Sequence, residues 1–277
     1  MAPIWLVKLV KRALAEDLGS GDLTTNAVIS SDSICKARII ARSPGRIFGT
    51  QAAKLAFALL NDECKCTFVP DGTDVEQKSL VAKINGPTKA VLSGERVALN
   101  FLQHLSGIAT ATKEAVLEAE PYGTKITDTR KTTPGLRFLE KEAVKAGGGI
   151  NHRFGLYDAI LLKENHLKAA GSIKKAVEMC KKHIGHMVKI EVEVEDIKQV
   201  KEAVEASCDA IMLDNMSLDE MKQAVEIIGK KAIIEASGNI RVEEVAEVAA
   251  CGVDVISIGW ITHSTPSLDM SLLIEID

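Results

Sequence analysis

The sequence predicts an α/β protein, because short apolar segments alternate with amphipathic helical segments over its carboxyl-terminal half. Alternation at this spacing indicates parallel strands joined by helical crossovers. Six strands, with a seventh that the residues do not locate, favour a closed barrel with fewer than eight strands; an open, doubly wound sheet is the alternative. The six predicted strands are residues 125–128, 159–163, 188–194, 210–214, 232–236 and 254–258.

The first 110 residues follow a different pattern, which predicts a separate mixed domain. We therefore expect one domain over residues 1–110 and a second over 111–277. Apolar spacing predicts a first helix over residues 3–16, followed by a glycine-rich loop. Further strands are predicted within 34–49, 64–69 and 80–84, and further helices at 52–60 and 93–105.

Polar residues or glycines end every one of the six predicted strands. The carboxyl ends of parallel strands share one rim of the fold, and ligand sites lie there. We therefore expect these residues to surround one site. In strand order they are Arg130 and Lys131, then Lys163, Glu193, Asp214, then Ser237, Gly238 and Asn239, and finally Gly259 and His263.

Positive charge is concentrated in one segment of an acidic chain. Residues 125–168 contain nine Lys or Arg and five Asp or Glu, whereas the whole chain has a net charge of -4. The same segment contains three glycines at 147–149, shortly before His152 and Arg153. Forked guanidinium donors suit carboxylates and phosphates, so the segment is predicted to bind a small polyanion. Nucleic acid is not the expected partner, because it would need an extended basic face.

Two small-residue turns are predicted to hold phosphate. Residues 237–239 lie between a strand and a helix opening near Val242, and residues 259–264 form a second turn of this kind. Beside bound phosphates, Glu193 and Asp214 are suited to hold Mg²⁺ or ribose hydroxyls and to stabilise positive charge on a sugar.

Several function classes are disfavoured by missing motifs. No GxxxxGK[ST], GxGxxG, HExxH or GxSxG pattern is present, which argues against a nucleotide triphosphatase, a Rossmann dehydrogenase, a zinc protease and an α/β-hydrolase. No apolar run approaches the roughly 20 residues that span a bilayer. We expect no membrane partner and a cytoplasmic location.

The chain resembles the quinolinate phosphoribosyltransferases, also called decarboxylating nicotinate-nucleotide pyrophosphorylases, nearly from end to end. Three departures from the family pattern are Glu142 for an aromatic residue, Glu164 for Asp and Asn239 for a second Gly. None of them removes an expected catalytic group. The resemblance is carried by ALAEDLGSGDLTT, GERVALNFLQHLSGIAT, DTRKTTPGLR, EKEAVKAGGGINHRFGLYDAILLKENH, IEVEVE, MLDN, EASGNI and SIGWITHS.

The resemblance implies an N-terminal α/β sandwich domain and a C-terminal incomplete, seven-stranded α/β barrel, with a carboxyl-terminal tail that can return to the first domain. It implies transfer of phosphoribose from phosphoribosyl pyrophosphate to quinolinate with Mg²⁺ and decarboxylation. The products would be nicotinate mononucleotide, pyrophosphate and CO₂, in de novo NAD biosynthesis. It also implies a homodimer or a dimer-based hexamer with shared active sites.

The resemblance further assigns roles by motif. Lys131, Lys163, Glu193 and Asp214 would be catalytic, with Glu193 and Asp214 also binding the metal. Quinolinate would be bound by Arg130, His152, Arg153, Lys163 and Arg96 of the partner subunit. Phosphoribosyl pyrophosphate would be held by Lys131, Glu193, Asp214, Ser237, Gly238, Gly259 and His263.

Two alternatives accompany this interpretation. One is a paralogous phosphoribosyltransferase of the molybdenum-transport type with another acceptor, against which the intact arginine-rich set argues. The other is a non-catalytic phosphate-ligand sensor on the same barrel. Retention of Glu193 and Asp214 argues against the sensor, because simple anion binding gains nothing from carboxylates that face phosphate.

Overall fold

The computed structural model describes residues 2–276, which fold into two compact units. The N-terminal unit contains the residues up to Ala111 together with those from Thr265 onward. The barrel unit contains the residues from Thr112 to Ser264. Among the described residues, no helix is both long and apolar enough to cross a bilayer.

Helices and strands alternate along most of the described chain. The helices are α1 (Ile4–Leu18), α2 (Leu23–Val28), α3 (Thr50–Ala58), α4 (Thr88–Ala119), α5 (Arg137–Ala146), α6 (Glu164–Ala170), α7 (Ile173–His183), α8 (Ile197–Ala206), α9 (Leu218–Ile228), α10 (Val242–Ala249) and α11 (Trp260–His263). The strands are β1 (Ile34–Ala41), β2 (Gly45–Arg46), β3 (Lys65–Phe68), β4 (Asp74–Val75), β5 (Leu80–Pro87), β6 (Lys125–Thr127), β7 (Ile160–Leu162), β8 (Ile190–Val194), β9 (Ala210–Asp214), β10 (Ile233–Ser237), β11 (Val255–Ser257) and β12 (Met270–Ile276).

The N-terminal unit is built around an antiparallel sheet with the order β12-β1-β5-β3. Alternate residues of β1 are buried, as expected for a strand with one face against a core. The predicted first helix is present as α1, which buries Leu6, Val10 and Leu14 at four-residue spacing. The carboxyl-terminal strand β12 pairs with β1 in this sheet.

Two local predictions in this unit need correction. The glycine-rich loop continues into a short helix, α2, because Asp22 caps it: the Thr25 amide donates to Asp22 Oδ1 at 2.9 Å. The helix predicted at 93–105 runs much further, over the 32 residues of α4. Gly107 does not interrupt α4, and a Cβ there would lie 2.2 Å from the carbonyl oxygen of Pro266, so a closely passing chain requires glycine.

The barrel unit contains six parallel strands in the order β6-β11-β10-β9-β8-β7. From β7 to β11 each strand lies beside the next in sequence, and β11 lies beside β6. A doubly wound sheet would instead reverse its strand order at a switch point. The order therefore confirms the predicted barrel topology over the doubly wound alternative.

A single β-bridge occupies the place where a seventh strand was implied. Ile150 bridges Thr127 in parallel orientation, and its amide donates to the carbonyl of Ile126 at 2.8 Å. The bridge does not lengthen into a strand, because the next residues turn toward other partners: the His152 amide donates to Asp128 Oδ1 at 3.0 Å. The incomplete barrel thus has six strands and one bridge.

Candidate active site

Two layers of inward-facing residues line a cavity of about 1040 Å³ at the carboxyl ends of the barrel strands. Side chains two positions apart on a strand share a face, so each of the five strands from β7 to β11, with the residues just beyond its carboxyl end, contributes one residue to each layer. The upper layer is Lys163, Glu193, Asp214, Ser237 and Gly259. The lower layer, two residues earlier on the same strands, is Leu161, Glu191, Met212, Glu235 and Ser257, all of which line the cavity except Glu191.

The sequence-predicted site residues of the barrel unit all line this one cavity. They are Arg130, Lys131, His152, Arg153, Lys163, Glu193, Asp214, Ser237, Gly238, Asn239, Gly259 and His263. Arg96 is not among the lining residues; it lies on α4 in the N-terminal unit, where its side chain is exposed.

The cavity wall holds guanidinium groups with unused donors. The Nε atoms of Arg130 and Arg153 are buried and have no hydrogen-bond partner among the described residues. Burial and, secondarily, the charge of Arg130 hold the pKa of Arg153 below its usual range. Two neighbouring cations that repel each other, each with an unused buried Nε donor, are stabilised when an anion binds between them. The wall is therefore suited to a ligand that carries carboxylates or phosphates.

Arg137, which the sequence reasoning did not select, fixes the two loops that carry these cations. Its guanidinium donates to the carbonyl of Arg130 at 3.2 Å, to the carbonyl of Phe154 at 3.2 Å, and to Thr132 Oγ1 at 2.9 Å. The loop that contains Arg130 and the loop that contains Arg153 thus each provide a hydrogen-bond acceptor to the Arg137 guanidinium. The guanidinium acts as a clamp that keeps Arg130 and Arg153 at one end of the barrel.

The turn at 237–239 is a tight backbone cradle. Gly238 has φ of 110°, and a Cβ there would lie 2.4 Å from Asn215 Oδ1. Asn239 and Asn215 both adopt left-handed backbone, with φ of 51° and 54°. Helix α10 then begins at Val242, as predicted from the sequence. Only glycine fits the centre of this turn, and the result is a strand–helix connection with small side chains facing the cavity.

The second turn, at Gly259, is tied to the first. Trp260 Nε1 donates to the carbonyl of Ile240 at 2.9 Å. Thr262 Oγ1 donates to the carbonyl of Lys131 at 2.7 Å, and a Cβ at Gly259 would lie 3.0 Å from Lys131 Cδ. Glycine at 259 thus leaves room for the Lys131 side chain beside the turn. Lys131 and the two turns form one continuous edge of the cavity, whose lysine and small-residue turns are suited to an anion.

Below the cationic wall lies a buried polar network. His152 Nε2 is 2.8 Å from Glu191 Oε2 and 3.7 Å from Glu235 Oε1. His152 Nδ1 accepts a hydrogen bond of 2.8 Å from the Arg153 amide. Both ring nitrogens are therefore engaged within the protein, with the ring proton on Nε2. In this arrangement His152 orients the chain around Arg153 and offers no free nitrogen to a ligand.

Asp128 and Lys141 hold the same segment from the other side, and both are almost completely buried. Lys141 Nζ is paired with Asp128 Oδ1 and also donates to the carbonyl of His152 at 3.0 Å. The His152 amide donates to Asp128 Oδ1 at 3.0 Å. Burial raises the pKa of Asp128 despite the opposing effect of Lys141. One ion pair thus fixes both the amide and the carbonyl of His152.

Glu193 and Asp214 are carboxylates that line the same cavity as the cationic side chains. Glu193 is paired with Lys163 Nζ, and Asp214 Oδ2 accepts from Asn215 Nδ2 at 2.9 Å. Among the described residues, the one cluster of three side chains close enough to hold a metal ion without other ligands is His152, Glu191 and Glu235. Neither Glu193 nor Asp214 belongs to it. Mg²⁺ is commonly held by one or two carboxylates together with substrate phosphates. The pair fits a cation that arrives with phosphate oxygens.

The fold and the cavity define an α/β-barrel protein with a compact polyanion site at the carboxyl ends of its strands. Two family models match the chain: the quinolinate phosphoribosyl transferase C-terminal domain over residues 108–273 and the N-terminal domain over residues 22–106. The chain belongs to the quinolinate phosphoribosyltransferase family.

Comparison with individual proteins agrees. The chain is 45% identical over 273 residues to a probable nicotinate-nucleotide pyrophosphorylase [carboxylating] of Bacillus subtilis, covering 98% of this chain and 94% of that protein. It is 40% identical to a protein of the same name from Synechocystis, over 98% of this chain and 94% of the relative. The crystal structure of NadC from Streptococcus pyogenes superimposes with a TM-score of 0.95 at 40% identity, covering 100% of this chain and 98% of that one.

Proposed function

We propose that this chain is a pentosyltransferase that moves phosphoribose from phosphoribosyl pyrophosphate to quinolinate, with loss of CO₂. The products are nicotinate mononucleotide, pyrophosphate and CO₂, in de novo NAD biosynthesis. Membership of the family and the names of relatives that match over nearly the whole chain support this assignment. The structural observation that carries it is one cavity that combines two guanidinium groups, whose buried Nε atoms have no partner among the described residues, with two small-residue turns.

Quinolinate places two carboxylates on adjacent ring carbons, and the donor carries several phosphate charges. Arg130, Arg153 and Lys163 bind the carboxylates, because forked and ammonium donors from separate loops reach the same cavity. The turns at 237–239 and 259–264 bind the phosphates through backbone amides. His152, whose ring nitrogens are engaged, positions Arg153 and is not itself a carboxylate ligand.

Loss of pyrophosphate from the ribose develops positive charge on the sugar. This step needs positioning and electrostatic stabilisation more than a nucleophilic side chain. Glu193 and Asp214 face that charge from the upper layer. They would also hold Mg²⁺, which when bound neutralises the leaving pyrophosphate.

Two further features belong to the same proposal. The chain forms a homodimer or a dimer-based hexamer, in which Arg96 of the partner subunit completes the quinolinate site. The exposed position of Arg96 on α4 is compatible with this role. The cytoplasmic location stays a prediction from the sequence.

The activity is tested by mixing pure protein with quinolinate, phosphoribosyl pyrophosphate and Mg²⁺, and measuring pyrophosphate and CO₂. We expect both products in equal amounts, and neither when the metal is removed by a chelator. Replacing quinolinate by nicotinate is the matched control, because it lacks the carboxylate that leaves. Absence of pyrophosphate from folded protein would reject the proposed function, and turnover with nicotinate alone would assign another acceptor.

A further inference from the structure

A buried ionisable group at the base of the cavity, Glu235, has no part in the proposed binding scheme. Glu235, in the lower layer on β10, is 5% exposed and lines the floor of the cavity. Its Oε1 has no hydrogen-bond partner among the described residues. The floor around it is formed by Leu161, Met212 and Ser257, which carry no charge. A buried carboxyl oxygen without a partner at the base of a ligand cavity needs an explanation.

The groups that face Glu235 show which protonation state the geometry favours. Glu191 approaches from β8, His152 from the segment after β6, and Ser257 from β11; atoms of Glu191, His152 and Glu235 lie within 4.8 Å of one another. The single ring proton of His152 serves Glu191 at 2.8 Å and lies 3.7 Å from Glu235. Two carboxylates that share one donor are stable when the second carries its own proton.

More distant charges do not change this conclusion. Lys141, on α5, is engaged with Asp128 and the His152 carbonyl. Arg130 and Arg153 line the same cavity, where the proposed substrate occupies them. Burial, followed by the charge of Glu191, raises the pKa of Glu235 to about 8. Glu235 is therefore a neutral acid near pH 7.

The chemistry proposed for this site requires one proton. In the proposed binding mode the ring nitrogen would face the upper layer, where the turns would hold the sugar phosphates, and the rest of the ring would extend toward the lower layer, which contains Glu235. When the bond from that carbon to its carboxylate breaks, CO₂ leaves and the electron pair stays on the ring carbon. A C–H bond must then form. Among the lysines of the cavity, Lys163 is paired with Glu193, and Lys131 lies beside the turn at Gly259, where the phosphates are proposed to bind.

We propose that Glu235 is the catalytic acid that protonates the ring carbon after CO₂ departs. The electron pair on carbon takes the Glu235 proton, which leaves a Glu235 carboxylate, and solvent returns a proton once the product has left. This inference rests on the proposed function and adds a residue to it. The uncharged side chains of Leu161, Met212 and Ser257 beside the acid also favour conversion of a carboxylate into neutral CO₂.

The test separates the two chemical steps in a single turnover. Glu235→Gln keeps the size of the side chain and its hydrogen-bonding capacity but has no acidic proton. We expect quinolinate binding within about twofold of wild type and pyrophosphate formation at a near-normal rate. Formation of nicotinate mononucleotide should be slower by on the order of 100-fold, the usual scale for removing a general acid. Glu226→Gln, the same change on the exposed face of α9, is the control and should leave both steps unchanged.

The pH profile distinguishes an acid from a structural residue. In wild type the rate of nicotinate mononucleotide formation should fall above about pH 8, where the acid loses its proton. Glu235→Gln should lack this fall, and Glu235→Asp should retain it. Equal slowing of both steps in folded Glu235→Gln, or an unchanged pH profile, would overturn the assignment. If Glu235→Gln does not fold, the rates of pyrophosphate formation and of nicotinate mononucleotide formation are compared in Glu235→Asp instead.

Failure of the inference and failure of the proposed function give different results. Wild-type protein that makes no pyrophosphate rejects the function, and the inference falls with it. Wild-type protein that makes both products, beside a Glu235→Gln variant that makes them equally well, rejects only the role of Glu235.

Discussion

Lys141 and Asp128 form an ion pair inside the barrel unit, and both also bond the backbone of His152. The pair therefore links helix α5 to the carboxyl end of β6 and to the segment that carries Arg153. Neither side chain is exposed by more than 1%. A charge pair this deep gives little net stability by itself, but removing one partner leaves the other charge uncompensated.

We predict that Lys141→Met lowers the free energy of unfolding by about 3–5 kcal/mol, because Asp128 is left buried without its cation. Chemical denaturation measures the effect. Lys145→Met, on the exposed side of the same helix, is the control and should cost less than about 1 kcal/mol. Adding Asp128→Asn to Lys141→Met should recover part of the loss, since the unpaired charge is gone. Single variants that differ little from wild type would show that the pair does not hold this region.

Arg153→Ala should weaken quinolinate binding by about 2–4 kcal/mol, the scale for removing one partner of a buried charged pair. The reason is that its guanidinium is proposed to donate to the ligand carboxylates, and its buried Nε has no other partner among the residues that the structure describes. Calorimetric titration with quinolinate measures the change. Arg12→Ala, on the exposed surface of α1, should leave the affinity as it was. Unchanged affinity in Arg153→Ala would remove that residue from the site.

The shared active site predicts complementation between two inactive chains. Arg96→Ala and His152→Ala should each be inactive alone. The first lacks the guanidinium that is proposed to complete the partner subunit's site, and the second lacks the imidazole that accepts from the Arg153 amide. Each mixed dimer has one intact site of its two, so an equimolar mixture after random exchange should regain up to about one quarter of wild-type activity. Subunit exchange is checked with tagged chains. Confirmed exchange without regained activity would mean that each site is complete within one chain.

The raised pKa of Glu235 predicts how stability depends on pH. Its value rises from 4.5 to about 8 on folding, so between these values the folded state holds a proton that the unfolded state has released. The contribution of Glu235 to stability is fully present below pH 4.5 and is lost as the pH rises toward 8. Glu235→Gln should therefore gain stability relative to wild type between pH 5 and pH 8. Thermal unfolding of both proteins at several pH values measures this, and a constant difference would contradict the shift.

The sequence predicted the barrel well, because its strands are short apolar runs bounded by polar turns. Each of the six strands lies within two residues of its predicted limits, and β9 agrees at both ends. The upper layer was also accessible, since residues such as Lys163 and Asp214 stand out at strand ends. The seventh strand could not be located, because it is a single bridge at Ile150.

The lower layer was missed for a physical reason. Glu235 lies within an apolar strand, where a single carboxyl in the sequence looks like an ordinary solvent-facing residue. Leu161 and Met212 look like ordinary residues of the hydrophobic core. Lys141 lies among other charges on α5 and looks exposed, yet it is buried. A simple rule would have found most of the layer: step back two residues from each strand-end residue, because side chains at this spacing share a face.

The proposed function requires that cations from separate loops converge on a ring with two carboxylates. A crystal structure of the protein soaked with quinolinate tests it most directly. We expect both carboxylates within hydrogen-bond distance of Arg130, Arg153 and Lys163, with the ring nitrogen facing the turns at 237–239 and 259–264. Quinolinate bound elsewhere, or an empty cavity at saturating ligand, would contradict the account.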